Sequence, residues 1–366
     1  MITSFRIRGF RGFDDFELSE LRQINLLVGE NNGGKTSILE AIHLLQSQGS
    51  PSAIRAAMYR RGEVYREGNE GERPRPHLDV CHLFHGHQIA GGAEFRLDSS
   101  GKLRDRTLEV SVLEPSDYEN KDVYQIDLPP SLEGSNILFF GGSPEPVTAV
   151  LVLTSKDGLS VEQLDRFERS NTGEDPLPVF FVTTETQSAE FLARHWEGVA
   201  LTEEEDLLIK ALQVLEPRVE RIALLGDRPF FRSSKSGVIV RLKGERTPVP
   251  LGSMGDGMWR MLTLVLATIR SQNGILLVDE IDTGLHHTIM SDMWRLVIST
   301  AQRLNVQVFA TTHSLDCVNS LANVIAEEET PAETVTIQRV EKERSKAVAY
   351  SENEVVVAAN RGTEMR

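Results

Sequence analysis

The stretch Ile24-Asn25-Leu26-Leu27-Val28-Gly29-Glu30-Asn31-Asn32-Gly33-Gly34-Lys35-Thr36 decides how the rest of the 366-residue chain is read. Its largely apolar start predicts a short buried strand, and its end predicts a helix running from about Lys35 to Leu45. Between them, Gly29 to Thr36 matches G-x-x-x-x-G-K-[ST], in the strand-to-helix setting that this pattern needs. Glycines let successive backbone N–H groups turn inward around an anion. Lys35 adds a positive charge for β- and γ-phosphates, and Thr36 offers a hydroxyl to Mg²⁺. The helix N-terminus contributes its dipole. The candidate phosphate-binding set is therefore Gly29, Glu30, Asn31, Asn32, Gly33, Gly34, Lys35, Thr36 and the adjoining Ser37.

Two later strands end in chemistry that complements this loop. Ile275-Leu276-Leu277-Val278 reads as a buried strand ending in Asp279-Glu280. Asp279 is placed to hold Mg²⁺ together with Thr36, and Glu280 to polarise an attacking water as a general base. One helix further on, Val306 to Ala310 reads as a second strand, followed by Thr311-Thr312-His313. A histidine at that strand end can hydrogen-bond a γ-phosphate.

In this order and spacing, the three motifs resemble the ABC ATPase superfamily, and the SMC, RecF and OLD-like branch in particular. The opening Ile7-Arg8-Gly9-Phe10-Arg11-Gly12-Phe13 resembles that branch's F-R-x-F segment, which brings Arg11 into the candidate nucleotide set. Asp279-Glu280-Ile281-Asp282-Thr283-Gly284-Leu285-His286-His287 resembles the OLD-like D-E-I-E-x-G-L-H form, with Asp282 where that form has glutamate, and Thr311-Thr312-His313-Ser314 matches T-T-H-S. Leu251-Gly252-Ser253-Met254-Gly255-Asp256-Gly257 stands where the family's L-S-G-G-[QE] signature is expected. Ser253 and Gly255 align with it, while Met254 and Asp256 depart. Gln187 is the candidate for the glutamine that helps hold the metal.

The resemblance implies an α/β fold: an ABC ATPase head with a mixed-sheet N-terminal lobe, a helical lobe and a parallel core sheet. The expected organisation is a single ATPase domain over 1–366. Its lobes are 1–182 with an insertion at 47–77, 183–257 with the signature, 258–332 with the acidic strand and the histidine, and 333–366 as a strand pair and a helix. The resemblance also implies ATP and Mg²⁺ as ligands and a head-to-tail homodimer. It points to a standalone ATPase of the OLD-like kind, without a TOPRIM domain, that controls a separately encoded effector such as a TOPRIM-like nuclease in antiphage defence. The alternatives are a RecF-like factor acting directly on DNA and the nucleotide-binding subunit of a transporter.

Composition narrows these choices. The net charge of −15 disfavours a general nucleic-acid coat. Arginines cluster between Arg55 and Arg75, but glutamates are interspersed, which reads as a solvated loop. No apolar run is long enough for a membrane span, and two cysteines cannot form a disulfide framework, so a cytoplasmic protein is expected. Capping boxes are expected at Thr202/Glu205 and Ser351/Glu354. The apolar stripe of residues 257–270 reads as core. Cys81, His82, His85 and His87 are dense in metal-binding groups. Their spacing is not that of a standard zinc site, however, and a strand over 80–85 would point Cys81 and His82 to opposite faces. That segment is expected to be structural.

Overall fold

The run Ile24–Val28 forms strand β3, buried at every residue. β3 lies inside a six-stranded sheet with β11 (Val179–Val182), β15 (Ile275–Val278), β16 (Gln307–Thr311), β17 (Val335–Arg339) and β18 (Val348–Ser351), in the order β11-β15-β16-β3-β17-β18. Every pairing is parallel except that of β17 with β18, and Ile24 is in register with both Val308 and Val335. Strands covered on both faces read as continuous apolar runs, which is why β3, β15 and β16 stand out so clearly in the sequence.

The structure describes residues 1–68, 73–89, 92–102, 104–114, 136–143, 149–153, 158–170, 177–185, 192, 195–224, 237–327 and 333–361 of this computed structural model. They fall into two units. The unit containing β3 comprises Leu21–Lys35, Pro178–Val340 and Val348–Arg366. Around its parallel sheet it carries α4 (Glu203–Gln213), α5 (Asp256–Arg270), α6 (Met290–Arg303), α7 (Leu315–Glu327) and α8 (Glu352–Asn360). A small antiparallel sheet of β12 (Val219–Leu224), β13 (Val238–Leu242) and β14 (Val249–Pro250) belongs to the same unit. Residues 183–257, expected to be helical, thus supply this sheet as well as α4.

The other unit comprises Met1–Glu20, Thr36–Leu177 and Glu341–Ala347. Its main sheet is antiparallel, joining β2 (Phe13–Leu18), β1 (Ile2–Phe10), β6 (Glu94–Gly101), β7 (Arg106–Leu113), β8 (Ile137–Ser143) and β9 (Ala149–Val152) in that order. The opening segment reads in sequence as two edge strands; β2 is at the edge, but β1 is interior, paired on both sides. A three-stranded sheet pairs β5 (Arg75–Asp79) with β4 (Val64–Glu67) and with β10 (Gly158–Ser160). The helices are α1 (Lys35–Gln46), which enters the unit at Thr36, α2 (Pro51–Arg60) and α3 (Val161–Ser170).

Of the segment 47–77, read as a loop, the described residues form α2, β4 and the start of β5. Ser50 caps α2 by accepting the Ala53 N–H, Pro51 occupies its first turn, and Ala53, Ile54, Ala57 and Met58 are buried. Its arginines are mostly paired. Arg55 reaches Asp165 and Glu168, Arg60 and Arg61 reach Glu40, and Arg75 reaches Glu162. The capping box at Ser351 and Glu354 is complete. At α4 the pattern is shifted by a residue: Thr202 accepts the Glu204 N–H, and the Glu205 carboxylate takes the N–H of Leu201.

Candidate functional site

The loop after β3 closes tightly. Gly29 has φ +136°, and a Cβ there would clash with the carbonyl oxygen of Val340, the residue after β17. Only glycine allows that approach. Asn32 also sits in the left-handed region, at φ 64°. Lys35 closes the loop. Its Nζ donates to the carbonyls of Gly29 at 2.8 Å and Glu30 at 2.7 Å and lies 3.3 Å from Nδ1 of His313. An ammonium only donates, so Nδ1 is the acceptor and the His313 proton is on Nε2. Desolvation and the Lys35 charge both lower the His313 pKa, which keeps the ring neutral. Lys35 itself is buried, and desolvation lowers it to about 8 despite the opposing influence of Asp279 and Glu280.

β15 delivers the two carboxylates. The Asp279 N–H is held by the Val182 carbonyl, and Oδ1 accepts from the Thr311 hydroxyl at 2.8 Å. The Glu280 N–H donates to the same hydroxyl at 2.8 Å. Glu280 then turns at φ 45°, a conformation costly for a side chain other than glycine and concentrated at functional sites. The turn directs its carboxylate to 3.9 Å from Nε2 of His313, with the Thr283 hydroxyl 3.2 Å from Oε2. Asp282 accepts from the Thr312 hydroxyl at 2.6 Å, tying the turn to the segment that carries His313. Lys35, Asp279, Glu280, Asp282 and His313 therefore form one connected cluster at the ends of β3, β15 and β16.

The strained turn has a support that the sequence reading does not identify. Arg260, in the middle of α5, is buried and donates to the carbonyls of Thr183 at 2.7 Å, Asp279 at 2.8 Å and Glu280 at 2.6 Å. Desolvation lowers its pKa to about 10, still protonated at neutral pH. A lone arginine inside the apolar run Met258-Trp259-Arg260-Met261-Leu262 was the available signal. A charged group in such a run needs buried partners.

The other candidate residues lie elsewhere. Ser253 is exposed in the 3₁₀ turn Leu251–Met254, and Gly255, at φ 98°, forms the N-cap of α5. Among the described residues no hydrogen bond joins Ser253 to the Lys35 cluster. Gln187 lies outside the described residues. In the N-terminal unit, Arg11 is 4% exposed and sits between carboxylates, with its Nε 2.8 Å from Glu40 and its NH1 2.7 Å from Glu63. Its guanidinium is thus engaged inside that unit rather than presented to solvent. Arg61 links Glu40 to the hydroxyl of Ser37, which is also buried. Thr36 follows Lys35 in the chain at the start of α1. Among the described residues, no helix is long and apolar enough to cross a membrane.

Residues 1–83 match a family model described as "AAA ATPase domain". Residues 165–318 match one described as "AAA domain, putative AbiEii toxin, Type IV TA system". An ATP/GTP phosphatase of Helicobacter pylori is 21% identical over 357 residues, 90% of each chain. The DNA replication and repair protein RecF of Idiomarina loihiensis is 39% identical over 70 residues, covering 19% of this chain and 18% of that protein. Among solved structures, the SMC head domain from Thermotoga maritima superposes at a TM-score of 0.43 and 14% identity, covering 96% of this chain and 98% of its own. The Pyrococcus furiosus Smc head domain, solved with the C-terminal domain of ScpA, superposes at a TM-score of 0.47 and 12% identity, covering 99% of both chains.

Proposed function

We propose that this chain, which resembles SMC- and RecF-like P-loop ATPases, binds ATP with Mg²⁺ and hydrolyses it in a site completed by a second copy of itself. The observation that carries the reading is the contact chain Lys35–His313–Glu280, with Glu280 held in a strained turn. Backbone N–H groups from Gly29 to Lys35 cradle the phosphates. Lys35 exchanges its two loop carbonyls for phosphate oxygens, so its charge is already in place before the nucleotide arrives. The neutral His313 turns its Nε2–H towards the γ-phosphate, while Glu280 orients a water and takes its proton. The hard oxygen donors of Asp279 and of Thr36, next in the chain after Lys35, suit Mg²⁺, which when bound neutralises charge on the phosphates. Ser253 and Gly255 act on the partner's nucleotide.

A nucleotide-gated dimer can pass its state on by contact. In this reading a cytoplasmic ATPase controls a separate effector, for which a TOPRIM-like nuclease is our preferred class. The family model whose description names an AbiEii toxin supports a role in defence. The stretch of RecF similarity supports direct action on DNA as the second reading, and the net charge of −15 weighs against it.

Glu280→Gln tests the chemistry. The amide keeps the shape and removes the proton acceptor, so ATP should still bind while hydrolysis falls by roughly two orders of magnitude or more. Near-normal turnover would remove Glu280 from its role. Affinity capture of Glu280→Gln with ATP, beside Lys35→Ala, tests the effector. A partner protein retained in only one state supports control by nucleotide. Tight DNA binding at physiological salt with no protein partner in either state replaces that reading with the repair one.

A further inference from the structure

A strand over 80–85 would point Cys81 and His82 to opposite faces. The structure has β5 ending at Asp79 and a 3₁₀ turn at Val80–Leu83. A strand alternates its side chains between faces, whereas a 3₁₀ turn eclipses residues three apart, which brings Asp79 and His82 to one side. Here it gathers a carboxylate oxygen of Asp79, the thiol of Cys81 and a ring nitrogen of His82 within 4.8 Å of one another. All three residues are half-buried, and Cys81 is not in a disulfide.

Two distances bear on what this group can hold. His82 Nε2 lies 3.5 Å from Asp79 Oδ2. Nitrogen and oxygen ligands on one tetrahedral zinc stand about 3.4 Å apart, given metal–ligand lengths near 2.0–2.2 Å. The other ring nitrogen of His82, Nδ1, lies 3.2 Å from Nδ1 of His87. Only one of these two atoms can carry the shared proton. If His82 donates it, its Nε2 lone pair faces Asp79, the arrangement by which a neighbouring acceptor orients a metal-binding histidine. The backbone is fixed beforehand. The Asp79 N–H donates to Glu63, the Phe84 N–H to Cys81 and the Arg11 N–H to Leu83, with Val80 and Leu83 buried beneath the turn.

We propose that Asp79, Cys81 and His82 form a binding site for a divalent transition-metal ion of the zinc class, with His87 as the positioning residue that fixes the His82 tautomer. A mixed oxygen, sulfur and nitrogen donor set selects such an ion over Mg²⁺ or Ca²⁺. Three protein ligands leave a fourth position to water. The turn is hydrogen-bonded to the β1–β2 turn through Arg11 N–H to Leu83 and His85 Nδ1–H to the Arg11 carbonyl, so the ion would stiffen both.

The test uses the full-length protein purified without a histidine tag and free of nucleotide. Elemental analysis after equilibration with zinc should give one equivalent per chain. Cobalt substitution should give a thiolate-to-cobalt charge-transfer band in the near ultraviolet. Cys81→Ser should abolish that band and His82→Gln the stoichiometric uptake, while Asp279→Asn leaves both intact. His87→Gln should weaken affinity about 10- to 100-fold while keeping the band, because it acts through His82. Failure of the wild-type protein to bind one equivalent, or a cobalt spectrum without the thiolate band, overturns the proposal. So does zinc content unchanged in Cys81→Ser and His82→Gln.

Discussion

Arg260 shows how a residue with no proposed chemical role can set the geometry of one that has one, here Glu280. Its guanidinium satisfies the carbonyls on either side of Glu280, where the backbone is strained. Replacing Arg260 with Met removes those donors at similar length. Buried carbonyls left without partners should cost about 1–3 kcal/mol of stability, read from urea unfolding. Displacing the Glu280 carboxylate by an ångström should lower kcat by up to about a hundredfold. Because Lys35 and the loop are untouched, nucleotide affinity should stay near wild type. Equal loss of affinity and kcat would mean that Arg260 supports the fold generally and not the Glu280 turn. In the sequence, Asp279 and Glu280 were legible as a strand exit. The left-handed backbone at Glu280 was not, because nothing in the residue type favours it and the strain is sustained from outside by Arg260 and Thr311.

Individual elements were legible to the extent that their burial was continuous or strictly periodic. β3, β15, β16 and α5 are buried through most of their length, so their apolar runs survive any choice of neighbours. α2 was missed because Ser, Pro, Arg and Glu dominate its surroundings, although Ala53, Ile54, Ala57 and Met58 are buried at helical spacing. Its arginines are held by carboxylates distant in sequence, which no local reading reveals. The 3₁₀ turn after β5 was missed for a related reason: a four-residue turn has no period to detect. The helix that follows the phosphate loop carries a further consequence. In α1, desolvation, reinforced by Arg60, lowers the His43 pKa from its ordinary 6.5 to about 4. The folded protein therefore refuses a proton that the unfolded chain accepts below pH 6.5. The associated stability is present above that pH and is lost as pH falls towards 4. By pH 5 the loss from this group should be about 2 kcal/mol. Urea midpoints at pH 7 and pH 5 should show a smaller difference in His43→Gln than in wild type. An unchanged pH dependence would show that His43 is protonated in the folded state.

Within one chain, the two groups of residues proposed to face nucleotide stand apart. Lys35, Glu280 and His313 form a connected cluster, while Ser253 and Gly255 are exposed at the N-terminus of α5 and, among the described residues, make no hydrogen bond to that cluster. A helix N-terminus with an exposed serine and a glycine at φ 98° can offer backbone donors and a hydroxyl to an anion brought by another molecule. If two copies pair head to tail, each nucleotide lies between the Lys35 cluster of one and the Ser253 turn of the other. Ser253→Arg blocks the turn and leaves the cluster intact; Lys35→Ala does the reverse. Each variant alone should be inactive, since every site in its homodimer has one bad half. Mixed in equal amounts, about half the dimers should be mixed, each with one good site from two good halves, restoring about a quarter of wild-type activity. Steady-state ATPase assays on the mixture, with sedimentation to establish the dimer, measure this directly. Full activity of the Ser253→Arg protein alone would show that the turn does not face nucleotide. Absence of recovery in a demonstrated mixed dimer would show that each chain hydrolyses ATP with its own residues or that both sites must fire together, and either result refutes independent composite sites.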